Sequence, residues 1–159
     1  MNTPPVPDLA VAFEQQLLAD IPLARAMQLR VAAWDEHGLA LAAPLAPNIN
    51  DKGCAFGGSL ASLMTLAGWG VIVLKLRALD RECDIYVQDS TVRYLAPVWG
   101  DFVTQAQLAD GESWEAFLTT LAQRGRARLR IICRVALEDG RDAATLEARF
   151  VAIDSKAAA

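Results

Sequence analysis

From Gly53 to Leu74 no side chain carries a charge, and Leu60, Leu63, Met64, Leu66, Ala67, Trp69, Val71, Ile72, Val73 and Leu74 leave no polar face at helical spacing. A helix of this kind must be covered on every side. Its length approaches the ~20 apolar residues that a bilayer span requires, so the cover is either lipid or the protein's own strands. Gly57, Gly58, Ser59, Ala61, Ser62 and Thr65, then Gly68 and Gly70, contribute little transfer energy into hydrocarbon but let a sheet backbone come close. Small residues also serve helix contacts in membranes, so the decision rests on the remaining sequence. It alternates polar and apolar residues as half-wet strands do and offers no second span. The expectation is a helix sheathed in sheet, with no membrane.

Taken in order, Pro4, Pro5 and Pro7 form an extended lead, after which Asp8 is expected to cap a helix carrying Leu9, Phe13, Leu17 and Leu18 at helical spacing and ending near Asp20 and Pro22. Two strands, Ala26–Trp34 and Leu39–Pro44, are joined by Asp35-Glu36-His37-Gly38, a polar turn with glycine where positive φ is needed. A loop from Ala46 to Lys52 leads into the apolar helix, which stops where charge returns at Arg77–Asp80. Strands follow at Asp84–Leu95 and Asp101–Leu108, and the spacing of Trp114, Phe117, Leu118 and Leu121 favours a helix between Gly111 and Gly125 over a frayed strand. From Arg126 to Glu138 the period is two, with Ala127, Leu129, Ile131, Cys133, Val135 and Leu137 on one face. An Asp139-Gly140 hairpin turn then returns the chain through Ala144, Leu146, Ala148, Phe150 and Ala152, and Ala157–Ala159 is a tail. One antiparallel sheet curled about one helix satisfies both patterns. The fold class is α+β, and that architecture is the hotdog fold, with residues 1–159 as one domain.

The chain of 159 residues is 53% hydrophobic, a surplus that predicts a homo-oligomer. A net charge of −4 argues against a nucleic-acid partner, which favours a basic footprint. Cys54, Cys83 and Cys133 are odd in number and widely spaced, so neither a disulfide framework nor a metal site is expected, and they are read as small buried hydrophobes. Met1–Asp8 lacks the basic and apolar parts of a secretory signal, which makes the cytoplasm the expected location.

The glycine pair at the head of the helix is where chemistry is expected. A helix that begins at Gly57-Gly58 aims unpaired N–H groups and its positive dipole end at whatever precedes it, and glycine lets a carbonyl come close. Asn50, Gly53, Gly57 and Gly58 stand at the spacings of the site motif of hotdog-fold acyl-CoA thioesterases, which this stretch resembles. Asn50-Asp51-Lys52-Gly53, Phe56-Gly57-Gly58-Ser59-Leu60, Gln88-Asp89-Ser90 and Arg93-Tyr94-Leu95 with Pro97 are similar to the thioesterase domain at the C-terminal end of the bacterial protein YiiD. The resemblance implies an oxyanion site at the Gly58 amide, flanked by Phe56, Gly57, Ser59 and Ser90. It also implies that Asn50 holds the attacking water or the carbonyl, and that the site is shared between subunits of a homodimer or dimer of dimers. The substrate implied is an acyl-CoA or acyl-carrier thioester, with no cofactor.

The departures from that motif bear on the mechanism. The family's histidine falls on Phe56 and its helix carboxylate on Thr65, so the usual general base is missing. Asp89, in a strand otherwise apolar or neutral, is one candidate replacement, because a desolvated carboxylate can take a proton from water, and Thr65 is the alternative; the competing reading makes Asp89 a structural acid. A serine triad is disfavoured because Gly57-Gly58-Ser59-Leu60-Ala61 misses the elbow pattern and His37, the only histidine, lies in a turn; Cys54 lacks a histidine partner. The stripe Arg124, Arg126, Arg128, Arg130 and Arg134 fits coenzyme phosphates, but is more simply a wet strand face paired with acids such as Glu147. Two functions follow: a thioesterase, or an acyl-thioester binding module that has lost its base. A hydratase on the same fold lacks its His and Asp pair.

Overall fold

The computed structural model describes residues 7–156; the lead at Pro4 and Pro5 and the tail Ala157–Ala159 lie outside the described residues. Helix α1 (Asp8–Asp20) turns Ala10, Phe13 and Leu17 inward. Pro7 occupies the cap position, so Asp8 contributes its charge to the first turn rather than acting as the expected cap. Pro22, pre-set for a first helical turn, opens the short α2 (Pro22–Ala26), and the Arg25 guanidinium donates to the carbonyls of Leu18 and Ala19 at 2.6 and 2.9 Å. Residues 26–29 therefore belong to a helix end and a turn, with Gln28 at φ 54°. Strand β1 begins only at Arg30, not at Ala26 as expected.

The six strands are β1 (Arg30–Asp35), β2 (Gly38–Ala43), β3 (Asp84–Tyr94), β4 (Phe102–Leu108), β5 (Arg126–Ala136) and β6 (Asp142–Ile153). They form one antiparallel sheet in the order β1-β2-β4-β5-β6-β3. Period-two alternation holds along β4, β5 and β6, which bury Phe102, Thr104 and Ala106, then Leu129, Ile131 and Cys133, then Leu146, Ala148 and Phe150. At Gly38, φ is 137° and a Cβ would strike the Ala106 carbonyl, which is why the hairpin needs glycine there. The ambiguous segment is a helix, α4 (Trp114–Arg124), started by a Ser113 side chain that accepts the Ala116 N–H at 3.2 Å and ended by Gly125 at φ 68°.

Helix α3 (Gly57–Arg77) lies inside the curl. By length and composition it could cross a membrane, yet 61% of its most apolar window is buried inside the fold, so the sheet supplies the cover its sequence demands. The cover is uneven. Leu60, Leu63, Met64, Ala67 and residues 70–74 are buried, whereas Gly58, Ala61, Ser62, Thr65 and Trp69 make a half-buried stripe at three- and four-residue spacing.

Candidate functional site

The loop before α3 is closed by its own polar groups. The Asn50 Oδ1 accepts the N–H groups of Lys52 and Cys54 at 2.9 and 3.2 Å, and its Nδ2 donates to Cys54 Sγ at 3.2 Å. Gly53 completes the loop at φ 88°. The Asn-x-x-Gly spacing thus builds a turn, and Asn50 keeps one amide hydrogen for a ligand. Asn48, which sequence reasoning passed over, braces the loop from below. Buried to 2% exposure, it donates through Nδ2 to Met27 O and Pro44 O at 3.0 and 2.7 Å, while its backbone carbonyl accepts the Phe56 N–H at 2.7 Å. Its Oδ1 is buried without a partner among the described residues.

Phe56 is the residue before the helix and has no side-chain oxygen with which to cap it. The N–H groups of Gly57, Gly58 and Ser59 accordingly find no acceptor among the described residues, and the first paired amide is that of Leu60, bonded to Phe56 O at 3.1 Å. Three unpaired donors thus stand half-buried at the positive end of a 21-residue helix. Both glycines also have aromatic neighbours. A Cβ on Gly58 would collide with the Phe56 ring, and one on Gly57 would come within 3.3 Å of the Tyr94 ring. The Tyr94 hydroxyl donates to Gly57 O at 3.2 Å, which ties the end of β3 to the start of α3. Tyr94 was legible only as part of a motif; its contact joins residues 37 positions apart.

Opposite the half-buried stripe of α3 stands the helix-facing side of β3. Register pairs Ile85, Val87, Ser90, Val92 and Tyr94 with the buried residues Ala152, Phe150, Ala148, Leu146 and Ala144, so these five share the inner face. Asp89 does not. A bulge between Val87 and Asp89 leaves Gln88 unpaired in the ladder and sets Asp89 opposite Arg149 on the outer face. There its side chain is 60% exposed, 3.9 Å from the Arg149 guanidinium. The desolvated carboxylate expected near the Gly58 amide is therefore absent from the helix side of this strand, and Ser90 looks inward instead. Thr65, on the stripe, donates its hydroxyl to Ala61 O at 2.8 Å, which leaves its oxygen free to accept. Ser59 is half-buried beside the free amides.

In the single chain the stripe of α3 and the inner face of β3 stay partly open, because β3 pairs only with β6 and its other edge has no partner strand among the described residues. Surface cavities of about 200–600 Å³ include one between α3 and β3 at Trp69, Val73 and Ile85, and no residue from 48 to 60 lines any of these five. His37 lines one with Lys75 and Ala78, at the opposite end of α3 from Ser59, which removes a serine triad. Part of the arginine stripe is engaged. Arg130 reaches Glu112 at 3.1 Å and Glu147 at 2.9 Å, bonds that raise its pKa, and Arg128 donates to Gln88 at 2.9 Å. Cys133 is buried, and desolvation pushes its thiol up to about 12; Cys54 is buried as well. No cluster of metal-binding side chains occurs among the described residues.

Residues 10–154 match the family described as "Putative thioesterase (yiiD_Cterm)". The chain belongs to this thioesterase family. Among solved structures, a "putative thioesterase" from Shewanella oneidensis is 30% identical over 92% of this chain and 98% of its own, with a TM-score of 0.81. A protein of unknown function from Chlorobaculum tepidum is 26% identical over 92% and 95%, at a TM-score of 0.86. A "Probable Thioesterase" from Pseudomonas aeruginosa, 24% identical over 94% and 97% with a TM-score of 0.74, shares the fold. The hotdog architecture read from the helix and the strand periods is thus the architecture of the thioesterase family.

Proposed function

We propose that this thioesterase-family protein hydrolyses an acyl-CoA or acyl-carrier thioester at the head of α3. The observation that carries the proposal is the set of three unpaired amides at Gly57, Gly58 and Ser59, uncapped because Phe56 has no oxygen to offer. Water attacks the thioester carbonyl, the carbonyl oxygen takes negative charge against the Gly58 N–H, the C–S bond breaks, and the thiolate leaves and gains a proton. Removing one such donor typically costs about 10²–10³ in rate. Thr65 accepts a hydrogen bond from the attacking water, whose proton passes through solvent to the leaving thiolate, Asn50 holds the loop and offers its spare N–H to the carbonyl, and Ser59 and Ser90 line the site with Phe56 beside it. The reaction needs no cofactor, and a soluble enzyme of this kind works in the cytoplasm.

The remaining cover comes from a second copy. The open edge of β3 is 11 residues long and carries Tyr86, Val87 and Tyr94 about half exposed, a template for pairing with the same strand of a partner. The homodimer closes the site, and two dimers can associate in turn. A second reading is favoured by the outward Asp89: with no carboxylate or histidine on the inner face of β3 or on the α3 stripe, the chain binds acyl thioesters without turning them over. Thiol release from a panel of acyl-CoA thioesters separates the two. Turnover of at least one chain length supports the hydrolase; ligand-induced stabilisation with no turnover of any leaves the binder.

A further inference from the structure

Far from the free amides, a cavity opens at the surface where the C-terminal half of α3, the β1–β2 turn, the end of β4 and the start of α4 meet. It measures about 600 Å³, within the range of sites that hold a small organic ligand. Lys75, in its lining, stands ~25 Å from Gly58 along α3 at the rise of an α-helix. A small ligand held here does not reach the helix head.

Two indoles give the cavity flat apolar walls. Trp34 and Trp114 pack against the core yet stay partly exposed, and Val71 and Leu108 add apolar surface beside them. The buried Phe117 ring braces Trp114 edge-on at 6.0 Å. The charges of the lining are unequally placed. Lys75 is half-buried, with its ammonium 5.5 Å from the centre of the Trp114 ring, and no carboxylate lies within ion-pair reach of it among the described residues. The ring face offsets part of its lost hydration; a counter-ion would offset more. The acids of the lining are engaged elsewhere. An Asp35 oxygen accepts the His37 N–H at 2.7 Å, and Glu36 lies 3.6 Å from His37 Nε2 with its side chain 86% exposed. Carboxylates so hydrated compete weakly for a ligand's charge, but two of them in one lining oppose a ligand with several negative charges.

We propose that this cavity binds a small aromatic monocarboxylate, its ring against Trp34 and Trp114 and its carboxylate on Lys75. The site is separate from the helix head, and the proposal stands whether or not the protein hydrolyses thioesters. A rigid ring covers the indole faces with less loss of conformational freedom than an alkyl chain of similar carbon number.

Calorimetric titration of the full chain tests this with 1-naphthoate, uncharged 1-naphthamide and the alkyl carboxylate decanoate. Naphthoate is expected to bind about tenfold or more tighter than the amide, as one charge-assisted contact provides, and tighter than decanoate. Lys75→Met keeps the apolar stem over Trp114 and removes the charge, so naphthoate should weaken to the level of the amide while the amide is unchanged. Lys75→Arg should restore the preference. Trp34→Leu should weaken naphthoate and the amide alike, by about tenfold or less. Four results would each overturn the proposal: no saturable binding of naphthoate to the native protein, native naphthoate affinity in folded Lys75→Met, an amide that binds as tightly as naphthoate, or a decanoate that does so. Gly58→Pro should bind naphthoate as the native protein does, and a loss there would move the ligand to the helix head and overturn the assignment too. If Lys75→Met does not fold, Lys75→Gln takes its place in the comparison.

Discussion

The sheet has two edges, and the chain treats them in opposite ways. Strand β1 is six residues long, is bent by an irregularity between Val31 and Ala33, and lies under α1. A carboxylate oxygen of Glu14 on that helix accepts the Val31 N–H at 2.6 Å, taking up an edge donor that would otherwise recruit another strand. Strand β3 is 11 residues long and has no helix over its open edge, and several of its large side chains stand in solvent. Both strands meet the same hazard of an unpaired edge. At β1 the hazard is dealt with inside the chain; at β3 no described residue pairs with the edge, and that is the ground for the proposed pairing with a second copy.

The largest expected effect comes from making β3 resemble β1. Val87→Lys places a charge on the inner face at the open edge, and light scattering should then report a monomer with kcat/KM lowered on the order of 10³, because the partner's cover and the donor alignment go together. An active dimer carrying Val87→Lys would sink the edge interface. Gly58→Pro deletes the principal donor in the first helical turn, where proline is tolerated, and is compared with Gly58→Ala, which brings the same Cβ against the Phe56 ring but keeps the N–H. We expect about a 10²–10³ loss in kcat with the dimer intact, and an undiminished rate would remove the oxyanion role of that amide.

Opening β1 should be milder. Glu14→Ala leaves the Val31 N–H without its acceptor, and thermal unfolding should show a loss of about 1–3 kcal/mol with turnover kept; concentration-dependent association of this variant would show that Glu14 also serves as a guard. The sheet centre gives a scale that neither edge touches. Burial holds the folded Cys133 thiol near 12, above its unfolded value of 9.0, so the protonated form favoured in the fold loses its advantage as pH rises from 9.0 toward about 12. Stability should therefore fall across that window with a slope approaching ~1.4 kcal/mol per pH unit, and Cys133→Val should flatten the difference; parallel curves for the two proteins would contradict it. The smallest effect is expected at Asp89→Asn, where loss of an exposed partner for Arg149 should change kcat by less than about threefold. A hundredfold fall would make Asp89 the base despite its outward face.

Much of this was legible beforehand because it depends on local patterns. Helix α3 announced itself by having no polar face, β4 to β6 by strict alternation, and the hairpins by Gly38 and Gly140, both at positive φ. The residues that position the site were less legible. Glu14 meets Val31 across 17 positions and Tyr94 meets Gly57 across 37, and nothing local in either sequence requires the contact. Residues 26–29 have the composition of a strand, but Pro22 restarts a helix and overrides it. Gln88 is neither a glycine nor a proline, so its bulge left no mark, and nothing local shows that Ser90 rather than Asp89 takes the inward place.

That bulge gives β3 a change of parity. Up to Val87 the odd-numbered side chains look at the helix; from Ser90 onward the even-numbered ones do. Were Gln88 drawn into regular pairing, Asp89 would stand opposite Ala148 and Ser90 opposite Glu147, so a neutral channel would become an acidic one with almost the same backbone. One residue of slack in an outer strand thus decides whether a carboxylate or a hydroxyl is turned toward the helix.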